Sequence, residues 1–158
     1  MFKRWAVGFV GYLFFLYYMF EISMFTKLWE ADVSKLSFVI ILMFTIELVT
    51  YGLNLRSYER NGVTTDLELK EGYDKASLLE KIGMMGTIIG FIVMLYSLKG
   101  VDLTDTANIT DVFSLATTGM STALFTTLAG LVTGTALELL YKRFEKTAAE
   151  EIAIVKVK

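Results

Sequence analysis

No cysteine, histidine or proline occurs anywhere in the 158 residues. Without cysteine there is no disulfide, and no thiolate to hold a metal or attack a substrate. Without histidine the commonest metal ligand is gone, and so is the side chain that titrates near neutrality. Metalloenzyme chemistry and cysteine- or histidine-dependent nucleophilic catalysis are excluded or nearly so, and no enzymatic activity is expected. Without proline, no helix in the chain carries a proline kink. The formal charge of −2 argues against nucleic acid, which calls for a basic face.

What is present is apolar. Hydrophobic residues make up 54% of the chain and the mean hydropathy is +0.54, so the sequence reads as an integral membrane protein. Four runs approach the roughly 20 residues that a bilayer core requires: about 5–25, 36–55, 82–98 and 112–140. The first follows a basic start, Lys3-Arg4, as a secretory leader would. It is too long and aromatic for one and no small-residue cleavage site follows, so it reads as a retained span. The expectation is an all-α fold of four transmembrane helices in one membrane domain, 1–158, without linker, repeat or low-complexity stretch.

Lysines and arginines set the orientation. Placing both termini in the cytoplasm puts twelve bases inside and leaves Lys27, Lys35 and Lys99 outside, the asymmetry of the positive-inside rule. The outer loops are then short, Thr26 to Lys35 and Lys99 to Asp111. The acids Asp102, Asp105 and Asp111 form a solvated loop or gather cations at an outer mouth. The sequon Asn108-Ile109-Thr110 is discounted, because three residues recur by chance and glycosylation needs a eukaryotic secretory route. The inner segment 56–81 is charged in both signs and reads as helical extensions of the second and third spans. The stretch 141–158 reads as the last span continuing into the cytoplasm as a charged helix.

The third and fourth runs share a pattern. Gly86 and Gly90 form a G-x-x-x-G with Thr87 between them, and Gly130 and Gly134 form another. In lipid no hydrophobic effect draws helices together, so close packing depends on small residues and on hydroxyls that bond across the interface. These helices are expected to pack on each other or on sister chains. Thr118, Thr122, Thr126 and Thr133 fall within a stripe about 80° wide on the fourth helix, with Thr127 across the glycine ridge. Such threonines either bond back to their own helix and fill a packing face, or line a hydrated path or meet a polar group on another helix. A polar stripe facing lipid is unfavourable.

Titratable groups at depth are few: Glu21, Glu47 and Glu138. Intramembrane acids are costly, and each is a functional candidate. Glu21 and Glu138 lie near span ends, where headgroups or water reach them. Glu47 sits near the middle of the second run, as an ion-path group or as a protonated acid hydrogen-bonded to a neighbouring Thr or Tyr. No aspartate falls inside any run.

The segment from Gly83 to Leu95 resembles the "GLLGTVxG" span of the MotA/TolQ/ExbB proton-channel proteins. Gly119 to Leu131 is similar to the family's following "xxxALxxTxxGL" span, in the same order. The resemblance implies a ring of five such chains in a bacterial inner membrane around two copies of a single-span partner of the MotB/TolR/ExbD kind. The partner's intramembrane Asp would carry the transported H+ or Na+, proton being the default; no cofactor is implied. Matched by motif, Thr87 and Thr127 correspond to the family's pore-facing threonines, and Thr122 stands where some transport-type members have a glutamate. Ala136 stands where an inner proline is common, and the inner segment is far shorter than a flagellar stator's torque-transmitting domain. The expected ion-pathway residues are thus Thr87, Thr127, Thr122, Thr126 and Glu47, with Gly86, Gly90, Gly130 and Gly134 packing the helices. The expected function is that of a stator subunit coupling ion flow to mechanical work. The rivals are a non-conducting oligomeric scaffold and a small virus-encoded, holin-like membrane-permeabilising protein.

Overall fold

A computed structural model describes residues 2–61, 66–97, 99 and 106–157; Asp102 and Asp105 lie outside them. Among the described residues the fold is helical throughout: α1 (Phe2–Glu21), α2 (Met24–Ala31), α3 (Leu36–Asn61), α4 (Asp66–Ser97) and α5 (Thr106–Val157). By length and composition α3, α4 and α5 can each cross a membrane, and α1 with α2 passes the same test as a pair bent by 75°.

The bend departs from the expected first span of 5–25. Ser23 takes up a left-handed conformation (φ 55°) that ends the first helix, and α2 then occupies most of the stretch expected as an outer loop. Aromatic packing holds it there. The rings of Trp29 and Phe38 meet edge to face at 5.4 Å, and the Lys35 ammonium lies 4.2 Å from the centre of the Trp29 ring. The described residues of the charged segment 56–81 are helical, as extensions of α3 and α4. The fourth span and the charged stretch after it form one helix of 52 residues, since nothing between Val112 and Glu150 breaks the backbone pattern.

α3 carries the core on one stripe. Ile40, Phe44, Leu48, Tyr51, Leu55 and Tyr58 recur at helical spacing and are all buried. They meet Leu79 of α4 and Leu137, Tyr141 and Phe144 of α5 in a single cluster. Tyr51 packs edge to face on Tyr141 at 5.2 Å, and Tyr58 on Phe144 at 5.4 Å. α1 runs antiparallel to α3, with Trp5 lying over Gly52 and the Tyr12 hydroxyl 2.8 Å from Thr45. Phe2 donates its backbone N–H to Glu59. The amino terminus, the ends of α3 and α4 nearest residues 62–65, and the carboxyl-terminal part of α5 therefore share one end of the molecule.

The layers are staggered. α3 begins at the level of Thr122, because Val33 just before it bonds that side chain. α4 and α5 continue past this point as an antiparallel pair, α5 by 16 residues or about 24 Å.

Candidate ion pathway

The seam between α4 and α5 is the closest helix contact in the molecule, and glycine makes it so. A Cβ at Gly90 would stand 2.5 Å from the Gly119 carbonyl oxygen, and one at Gly130 would stand 2.8 Å from the Cα of Gly83. Gly86 receives the Thr126 side chain, and Gly134 lies against Ala76 and Glu80. All four glycines of the two G-x-x-x-G patterns thus lie in this seam. Gly83 and Gly119 complete it, two positions that spacing within either pattern alone leaves out, because each is defined by its partner on the other helix.

Across the seam, the hydroxyls of Thr87 and Thr127 hydrogen-bond to each other. Thr127 Oγ1 lies 2.7 Å from the Ala123 carbonyl, a good acceptor distance, whereas Thr87 Oγ1 lies 3.4 Å from the Gly83 carbonyl. A hydroxyl has one proton. Thr127 therefore donates to its own helix, and Thr87 donates to Thr127. Both side chains are half-buried, and each oxygen retains a lone pair that can accept a further hydrogen bond.

The other threonines of the stripe divide by their bonds. Thr118, Thr126 and Thr133 each donate to carbonyls of their own helix, Ser114, Thr122 and Ala129 among them. Thr126 is completely buried under Gly86. Thr122, also completely buried, reaches another segment: it donates to the Ala31 carbonyl and accepts from the Val33 N–H, both at 3.0 Å. Its hydroxyl ties α5 to the turn between α2 and α3. The stripe is thus a packing face, with Thr126 seated on Gly86 of α4 and Thr122 tied to the turn, whereas the hydroxyl contact to α4 is made by Thr127 across the glycine ridge.

Glu47 is not part of this group. Its carboxylate lies 3.2 Å from the ammonium of Lys75 on α4, twelve residues before Thr87, or about 18 Å along the helix. Glu21 accepts a bond from the Tyr17 hydroxyl at 2.9 Å, and Glu138 pairs with Lys142 at 2.6 Å. The Glu47–Lys75 partnership was not legible in the sequence, because it depends on the register of α3 against α4.

A second unforeseen residue is Asp32, which is completely buried. Its carboxylate accepts from the Ser37 N–H at 2.9 Å, the Lys35 N–H at 3.1 Å and the Ser34 hydroxyl at 2.7 Å. It thereby satisfies amides at the start of α3 that have no partner within the helix. The signal was present: an acid and two serines stand just ahead of an apolar run, the usual marker of a helix start.

Compared with known proteins, residues 76–156 match the model of the MotA/TolQ/ExbB proton channel family. No curated protein and no solved structure matches the chain. The matched region holds all of α5 up to Lys156 and the part of α4 that forms the glycine seam and the threonine pair.

Proposed function

The chain belongs to the MotA/TolQ/ExbB proton channel family, and we propose that it is the channel-forming, non-enzymatic subunit of an ion-driven membrane motor. In this reading five copies ring two copies of a single-span partner with an intramembrane aspartate, in a bacterial inner membrane with both termini in the cytoplasm. The observation that supports it most is the half-buried Thr87–Thr127 pair bridging two glycine-packed helices.

The chemistry follows from where the two hydroxyl protons go. Thr127 is held by the Ala123 carbonyl, so its free lone pair accepts from a protonated carboxyl group or a water that arrives beside it. The Thr87 proton is not held by its own helix. It points to Thr127 when the site is neutral, and rotation about the Thr87 Cβ–Oγ1 bond turns it to a carboxylate once that acid has released its proton. The pair thus serves both protonation states of a passing acid without carrying charge itself. Each charge crossing the membrane supplies about 2.3 kcal/mol per 100 mV, enough for one modest conformational step. Work would be delivered on the far side through the partner's extramembrane domain, by rotation of the ring about it. Proton is the default ion.

The test is ion flux in proteoliposomes that hold the ring with its partner. Thr127→Val keeps the volume and removes the hydroxyl. Losing one hydrogen bond to a charged or transferring group, about 1.5–3 kcal/mol, should lower flux by roughly 10- to 100-fold while the assembled complex elutes unchanged. Full flux in this variant defeats the assignment of Thr127 to the pathway; a wild-type assembly that passes no ions favours a scaffold. Replacing sodium by choline should leave the wild-type flux intact; loss of flux there assigns the ion as sodium.

A further inference from the structure

α1 packs along α3 and makes no layer with α5, so a crevice of about 780 Å3 opens between α1, α3 and α5 at the end that carries the termini. Its floor is aromatic and aliphatic, with Phe9, Tyr12, Phe44 and Leu48. Its rim holds Arg4 on α1 and Arg143 and Lys146 on α5, with Glu150 as the single acid among the described residues. Lys146 and Glu150 pair loosely at 3.9 Å. Neither arginine has a carboxylate partner among the described residues, so the rim keeps a net charge of two positives.

The level of this rim matters. It lies where the apolar run of α5 gives way to Lys142, Arg143 and Lys146, and where Trp5 on α1 takes the position of an interfacial aromatic. A slot with an apolar floor parallel to the helices and two unpaired guanidiniums at its headgroup end complements one class of molecule. Guanidinium binds phosphate by a planar fork, and basic pockets between membrane helices select anionic headgroups. We propose that the crevice is a binding site for one anionic phospholipid, its phosphate held by Arg4 and Arg143 and an acyl chain laid along Phe9, Tyr12, Phe44 and Leu48. The volume lies within the range of small-molecule pockets and takes the headgroup and the first part of a chain. The remaining hydrocarbon stays in the bilayer. The bound lipid bridges α1 to α5 and so closes the open side of the peripheral layer.

The experiment is native mass spectrometry of the detergent-purified full chain, titrated with dioleoyl phosphatidylglycerol and with dioleoyl phosphatidylcholine. The expected result is retention of one phosphatidylglycerol per chain with at least about fivefold preference over phosphatidylcholine. An Arg4→Gln, Arg143→Gln double variant should lose that preference. Arg4→Lys with Arg143→Lys should keep most of it, which separates a binding defect from a folding defect. Lys142→Gln, on the same helix but outside the crevice, should change nothing. Equal retention of the two lipids, or an unchanged preference in the double glutamine variant, overturns the proposal. So does a photocrosslink from Phe9→p-benzoylphenylalanine that captures a second copy of the chain instead of lipid, because the crevice is then an interface between copies.

Discussion

Thr87 and Thr127 differ in where their hydroxyl protons are held, and the difference separates their substitutions. Thr127 donates to Ala123 and accepts from Thr87, so serine at this position keeps both bonds. Thr127→Ser is expected to retain flux within about threefold of wild type, by contrast with the valine variant, because a serine hydroxyl has the same donor and acceptors. A serine variant as inactive as valine would mean that the hydroxyl does not suffice and that the methyl group is required as well. Glu47 and Lys75 give a second contrast. Removing the base leaves a carboxylate 13% exposed with no counter-ion, whereas Glu47→Gln removes the charge and leaves a half-buried lysine whose stem can reach water. Lys75→Ala should therefore destabilise the protein by about 1–3 kcal/mol, and more than Glu47→Gln does. Thermal unfolding of both variants by circular dichroism in one detergent checks the order; the reverse order would show that Lys75 is the member that needs its partner.

At the scale of elements, the α4·α5 seam and the α2–α3 turn are two units joined through Thr122. The seam has no slack, since the nearest atoms to a Cβ at Gly90 are backbone atoms of α5 and the Ala123 methyl. Gly90→Val must push the helices apart, and overpacking of this kind costs about 1–3 kcal/mol or more. Loss of the folded protein, or a melting point lowered by several degrees, is the expected outcome in the same unfolding assay. A wild-type melting point would place the close contact elsewhere. Thr122→Val acts on the other unit. It leaves the Ala31 carbonyl and the Val33 N–H without their partner, and should speed hydrogen exchange at Val33 by about 10-fold or more. Amides at Gly86 and Gly90 should hold their protection. Equal loosening at both places would mean that turn and seam open together.

The molecule as a whole exposes more apolar length than one bilayer covers. Exposed large hydrophobic side chains on α5 run from Ile109 to Leu139, which at 1.5 Å per residue is about 45 Å, against a hydrocarbon core of about 30 Å. Either the pair of long helices is strongly tilted, or protein covers part of the surface beyond α3. The proposed ring supplies such a cover, since α4 and α5 extend past the peripheral layer as a bare pair. Native mass spectrometry of the chain purified from its own host membrane should give five copies with two of an aspartate-bearing single-span protein. A bare ring, another stoichiometry or a monomer would remove the motor architecture and return the threonine pair to a packing role.

Much of this was legible in the residues themselves. Hydropathy determined that the chain is helical and lies in a membrane, because an unpaired backbone in lipid leaves helices as the solution for long apolar runs. Small residues at four-residue spacing marked the packing faces of α4 and α5, and the two short spans around Thr87 and Thr127 carried the family resemblance. What the pattern could not contain was register between helices. That Glu47 meets Lys75, that Thr122 turns to the backbone of Ala31 and Val33, and that Gly83 and Gly119 belong to the seam all depend on how far one helix slides along another. The bend at Ser23 is likewise a tertiary decision. Glu21 and Ser23 interrupt the apolar run there without dictating a turn, and the packing of Trp29 and Phe25 on Phe38 holds the helix in its turned course. Local composition sets which faces are sticky or polar; the sum of contacts between distant residues sets which of them touch.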